Sequence, residues 1–168
     1  MDAIEAIMSR RSIRKFKDTE VPRDIIETLA AAADSAPSAC NKRPVDIYFV
    51  TDKVKLAALS KSGFFTKMSS PLAVVIAGNT SRTLPRSFGE YWIQDAAAAT
   101  ENLLIAANAL GLGACWCGVY LQKKVMDRVA EILDFDSKTI PFSLVRIGYP
   151  DEQHEPHEGY SEKRVRFI

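Results

Sequence analysis

The chain is poor in the residues that most often announce chemistry. Its 168 residues include two histidines, His154 and His157, and three cysteines, Cys40, Cys115 and Cys117. Two histidines in one charged loop give no basis for a His-dependent catalytic triad. An odd cysteine count without framework spacing excludes a disulfide scaffold, and Cys115-x-Cys117 has no second pair to complete a metal site; no metal is expected. Free thiols suit a reducing compartment, so the expected location is cytoplasmic. No apolar run approaches the ~20 residues that cross a bilayer. The start, Met1-Asp2 with Glu5, lacks the basic-then-apolar pattern of a signal peptide, and no membrane partner is expected. Charge of one sign is missing too. Lys and Arg number 22 against 21 Asp and Glu, a net +1, which with no interleaved aromatic–basic surface argues against nucleic acid as partner. Neither a Gly-x-Gly-x-x-Gly turn nor a Walker A loop is present, so any phosphate must be met by side chains.

What remains is an ordinary core-forming composition, 47% hydrophobic and 26% charged, which suits one domain over residues 1–168. Ala3, Ile4, Ile7 and Met8 repeat at helical spacing and predict a helix over 2–9. Pro22 reads as a first-turn proline, followed by an apolar stripe of Ile25, Ile26, Leu29, Ala30 and Ala33 that Pro37 ends. The run 45–50 is β-rich, 53–60 a short helix, and 72–77 a buried strand. An alanine-rich helix is expected from about 88 to 110, with Gly111 as its stop. Strands over 114–120 and 142–148 flank a helix marked by Val125, Val129 and Leu133. The order α-α-β-α-β-α-β-α-β implies helices packed around a modest sheet. Residues 151–159 read as a polar loop. The tail 165–168 is apolar and extended in character, with little to pack on locally, and suits addition to a partner's sheet.

Four segments carry the candidate chemistry. Arg10-Arg11-Ser12-Ile13-Arg14 concentrates guanidiniums in a nearly neutral chain, and Arg presents a rigid fork of donors that fits phosphate. Ser35 to Pro44 lies between a helix end and a strand and is rich in small residues, hydroxyls and an amide that can meet a planar ring edge. Gly111 to Gly118 runs into a strand whose last residue exposes a backbone N–H without a side chain over it. Glu162-Lys163-Arg164 offers a second phosphate clamp.

In order and spacing these segments resemble the nitroreductase family of FMN enzymes over nearly the whole chain. The resemblance implies an α+β fold with a central, mostly antiparallel sheet flanked by helices, and a homodimer with an exchanged C-terminal segment and FMN at the subunit interface. By resemblance, Arg10, Arg11 and Ser12, with Lys163 or Arg164, would hold the cofactor's phosphate and its neighbourhood. Arg14 would lie at the pyrimidine edge of the flavin, and Pro37, Ser38, Ala39 and Asn41 would come from the other subunit. Trp116, Cys117 and Gly118 would line the isoalloxazine, with the Gly118 N–H near N5. Arg14 and Gly118 are then the catalytic candidates. The implied reaction is a ping-pong cycle in which NAD(P)H reduces FMN and a small acceptor, such as a nitroaromatic or a quinone, takes the electrons. A flavin-storing or flavin-sensing protein would use the same residues. Arg43 stands where the family often has Gln, and the short stretch 61–71 leaves little chain for a large lid.

Overall fold

The computed structural model describes residues 1–155 and 159–168. The polar loop expected over 151–159 includes Pro156, His157 and Glu158, which lie outside the described residues. Five helices and four strands follow the predicted order. They are α1 (Ala3–Ser9), α2 (Arg23–Asp34), β1 (Val45–Val50), α3 (Lys53–Ser60), β2 (Leu72–Asn79), α4 (Tyr91–Ala109), β3 (Gly113–Gly118), α5 (Lys123–Ile132) and β4 (Thr139–Gly148). Short 3-10 turns at Ala39–Asn41 and Arg86–Phe88 interrupt the loops before β1 and α4. The second turn explains why α4 starts at Tyr91 rather than near 88: Gly89 closes it with an N–H to the Arg86 carbonyl. β3 stops at Gly118 because Val119 and Tyr120 both donate to the one carbonyl of Phe142, which ends the regular ladder.

The strands form one antiparallel sheet in the order β1-β2-β4-β3. β2 is buried along its length because both its faces are covered. Leu72, Val74 and Ile76 pack with α2 and α4 on one face, while Ala73 and Val75 join Leu56, Leu59, Val125 and Val129 on the other. A strand buried on both sides reads in sequence as an unbroken apolar run, as this one does. Pro141 lacks a donor for the ladder, and it sits where the β2–β4 register slips between Ile76 and Ala77, a bulge that accommodates it. α4 crosses the first core on small residues, with Ala96, Ala99 and Ala107 buried, and its Thr100 hydroxyl meets that of Ser143 in β4 at 3.0 Å. The tail is not a strand. Val165, Phe167 and Ile168 are exposed, and the Tyr160 and Phe167 rings lie 6.4 Å apart.

Candidate functional site

β3 is the end strand of the sheet, and the arginine segment lies along its free side. The Ile13 N–H donates to the Ala114 carbonyl at 3.0 Å, and Ser12 bridges Ala114 in parallel. Gly113 permits this approach, since a Cβ there would stand 2.7 Å from the Ile13 side chain. Beyond Ile13 the segment runs beside the chain that leaves β4. Lys17 N–H donates to the Tyr149 carbonyl and Asp151 N–H to that of Lys15, both at 2.9 Å. Ile13 is buried, Ser12 half-buried and Arg14 exposed.

The same contact fixes the direction of the backbone further along β3. Residues of an antiparallel ladder bond alternately to one side and the other. Ala114 points at Ile13, so Cys115 and Cys117 bond to β4 while Trp116 and Gly118 direct their backbone groups outward. The Val119 N–H, which reaches the Phe142 carbonyl of β4 at 3.2 Å, fits that alternation. Gly118 is exposed, and a Cβ placed on it would meet nothing within 4 Å. A bare N–H therefore faces open space at the end of an edge strand. The Gly118 carbonyl accepts from the Gln122 side chain at 2.8 Å, which steadies the peptide that follows the strand.

The arginines differ in what holds them. Arg10 lies 3.5 Å from Glu101 of α4. Arg14 is exposed, and its Nη1 reaches only the Ser12 carbonyl at 3.3 Å. Arg11 folds back on the chain: its donors serve the carbonyls of Met8, Arg10 and Glu155, and its buried Nη2 has no partner among the described residues. Lys163 and Arg164 are exposed in a turn closed by an Arg164 N–H to Ser161 carbonyl bond of 2.9 Å.

Trp116 packs toward the first core, 5.8 Å from the Phe142 ring. Cys117, one residue on, turns its thiol into the second core and is fully buried. The neighbouring thiol, with burial, pushes Cys117 up, and the same neighbour brings Cys115 down, helped by the charge of Arg14 against the cost of burial. Among the described residues no cluster of His, Cys, Asp or Glu could hold a metal. Nor, among those residues, is any helix long and apolar enough to cross a membrane.

The loop Pro37 to Pro44 leads into β1, on the opposite edge of the sheet. Three interstrand spacings, roughly 14 Å, separate β1 from β3. Three non-glycine residues in the loop, Cys40, Asn41 and Arg43, have φ near +50°. Such conformations cost energy and persist where the surroundings enforce them. Here the Ser38 hydroxyl accepts from the Arg43 N–H at 3.0 Å, and Asp95 of α4 accepts from the Ala39 N–H at 2.9 Å. Arg82 donates to the Arg43 carbonyl at 2.9 Å. Arg43 itself turns its Nε to the Asn41 side chain at 3.2 Å.

Two residues that sequence reasoning passed over organise these segments. Asp95 is buried beneath the loop, and its only signal was an acid inside an alanine-rich helix. Glu152 was absorbed in the polar loop. Its carboxylate accepts from the Arg14 N–H at 2.5 Å and the Lys15 N–H at 3.2 Å, and the first of these holds it below the usual carboxylate range.

The model of the Nitroreductase family matches residues 7–64 and 60–149. A protein of Methanothermobacter thermautotrophicus, provisionally named a NADH dehydrogenase/NAD(P)H nitroreductase, is 34% identical over 99% of this chain and 87% of its own. The structure of an FMN-dependent nitroreductase from Clostridium difficile superimposes with a TM-score of 0.89 at 32% identity, over 98% of both chains. A Parabacteroides distasonis structure, given the same provisional name as the first relative, reaches a TM-score of 0.91 at 30% identity, over 98% of this chain and 96% of that one.

Proposed function

The chain belongs to the nitroreductase family, and from that premise we propose that it is an FMN-dependent oxidoreductase that draws electrons from NAD(P)H and delivers them to a small conjugated acceptor, a nitroaromatic or a quinone. The observation that carries this reading is the outward backbone of Gly118, bare of side chain and open to a planar ligand, on the same free edge that seats the arginine segment. The cofactor fits the residues present: the exposed Arg14 and the half-buried Arg10 offer guanidinium donors, and a ring can approach Gly118 without a Cβ to displace.

Bound FMN supplies the two-electron carrier that no side chain of this chain provides. Arg10 and Ser12 hold its phosphate, with Lys163 or Arg164 closing over it. Arg11, bound to three backbone carbonyls, braces the segment and has only its Nη2 left to offer. Arg14 sets a permanent positive charge at the pyrimidine edge, where negative charge accumulates on reduction; guanidinium does this without a proton of its own to lose. Gly118 donates its N–H to the reacting edge of the ring. Trp116 shapes one wall. Cys117 keeps the strand in register while its thiol stays in the core.

The assembly is a homodimer. In one chain Pro37, Ser38, Ala39 and Asn41 lie at the β1 edge, across the sheet from Gly118, so a partner's loop must complete the site. The exposed apolar residues Ile4, Ile7 and Met8 of α1 and the apolar tail are surfaces such a partner would cover.

An anaerobic absorbance titration with NADH and then NADPH tests the proposal. The flavin band should bleach with one donor and return on adding a nitroaromatic or a quinone. A band that neither donor bleaches contradicts the oxidoreductase reading and favours storage or sensing; no flavin band after reconstitution contradicts both.

A further inference from the structure

The segment 37–44 carries two cations, Lys42 and Arg43, and no acid. The segment 80–89, between β2 and α4, carries Arg82 and Arg86 and again no acid. The two are tied together, since Arg82 donates to the Arg43 carbonyl at 2.9 Å. In a chain of net charge +1 this is a local concentration of one sign. Arg82 is matched by Asp46 of β1. Among the described residues no carboxylate lies within ion-pair distance of Lys42, Arg43 or Arg86. Asp34 and Asp95 line a small recess that Arg43 also borders, but Asp95 is engaged by the Ala39 N–H.

Arg43 is fixed along its length. Its N–H donates to the Ser38 hydroxyl, its carbonyl accepts from Arg82, and its Nε donates to the Asn41 side chain at 3.2 Å. The residue is exposed, and among the described residues neither Nη makes a hydrogen bond. A guanidinium anchored through Nε, with both Nη groups facing solvent, presents a fork that matches a carboxylate. Asn41 is one of the residues that the proposed function sets against the flavin. Arg43 therefore stands one side chain away from the place where a substrate would lie on the ring.

We propose that Arg43 is a specificity residue, which selects electron acceptors that carry a carboxylate on the conjugated ring. The inference rests on the flavin site proposed above and names the class of acceptor that site prefers. A carboxylate on a one-ring aromatic lies close to the reacting group, within reach of a cation beside Asn41. The 2′-phosphate of NADPH lies a whole dinucleotide from its nicotinamide, so the same cation should leave the choice of donor alone. Lys42 and Arg86 add to the attraction at longer range, where salt screens it.

The test measures binding rather than turnover. Full-length protein saturated with oxidised FMN is titrated with 4-nitrobenzoate and with its uncharged counterpart, 4-nitrobenzamide, and the perturbation of the flavin absorbance is followed. The parent should bind the carboxylate about fivefold tighter than the amide, the size expected of an exposed charge pair. Raised salt should shrink that preference. Arg43→Gln, which faces the same positive φ and can still donate to Asn41, should bring the two probes to near parity. Arg43→Lys keeps the charge without the fork and should restore part of the preference; it serves if the first variant loses its flavin. Equal affinity for both probes in the parent, a preference that survives in Arg43→Gln, or an equal loss for both probes there overturns the proposal. So does an altered NADPH-to-NADH preference in Arg43→Gln with the probes unmoved, which would assign the cation to the donor. A flavoprotein that separates the probes as described but is not reduced by NAD(P)H would contradict the oxidoreductase reading and leave this inference standing.

Discussion

The arginine segment at one edge of the sheet and the Pro37–Pro44 loop at the other are held by different means. The first is an extension of the sheet: Ile13 and Lys17 use backbone donors, and the close approach depends on Gly113 having no side chain. The second is a strained turn with three left-handed non-glycine residues, kept in place by Ser38, Asp95 and Arg82. A segment laid on a strand keeps its register when one side chain is lost. A strained loop does not, because its braces offset conformational energy that remains after they are removed. The two halves of the proposed site should therefore respond differently to mutation.

The largest effect should come from the rigid half. Gly118→Val fills the open face of β3 and should cut NAD(P)H-dependent flavin reduction about a hundredfold or more, with little change in melting temperature. An active variant would mean that the ring does not approach Gly118. Arg14→Ala comes next. It should slow reduction about a hundredfold but weaken FMN about tenfold or less, since it removes charge from the reacting edge and leaves the phosphate contacts. Equal losses in rate and affinity, measured by rapid mixing and fluorescence titration, would contradict the role given to Arg14.

In the loop, Asp95→Ala leaves the Ala39 N–H unsatisfied and releases the strained turn, at a cost of about 1–3 kcal/mol. FMN should dissociate about tenfold faster, while Asp95→Asn, which can still accept, should lie close to the parent. If both behave alike, the loop does not depend on that hydrogen bond. Glu152 offers a pH test of the arginine segment. Its carboxyl is held low in the folded chain, so its contribution is complete above the unfolded value, about 4.3, and is lost as the pH falls through the lower folded value. FMN affinity should fall over that acid range in the parent chain and should show less of this fall in Glu152→Gln. The smallest effect is expected from Cys117→Ala, which should leave FMN affinity unchanged and cost stability only. A large change in flavin reduction would place the thiol in the chemistry.

Much of this architecture was legible in the sequence because it rests on local signals. The stripe from Ile25 to Ala33 gave α2, the unbroken run from Leu72 gave β2, and the arginine cluster marked its segment by charge alone. Strand order left no such mark: β4 inserts between β2 and β3 through contacts between residues distant in the chain. Glu152 and Asp95 were missed for the same reason. Each acts on a backbone N–H far away in sequence, 138 residues for Glu152 and Arg14 and 56 for Asp95 and Ala39. Neither residue type nor spacing encodes such a bond. Arg146 was visible only as an interruption of an apolar strand, and its full burial emerged from the packing.

The shared site proposed above joins the β3 edge of one subunit to the Pro37–Pro44 loop of another. Complementation between two inactive variants tests it directly. Gly118→Val disables the β3 edge, and Ser38→Trp disables the loop. In a dimer that carries one copy of each, one site is intact and the other is broken twice. Co-refolded in equal amounts, the pair should recover about a quarter of parental activity, since half the dimers are mixed and each has one working site. No recovery, with mixed dimers shown to form, would place both halves of the site within a single chain and contradict the shared site.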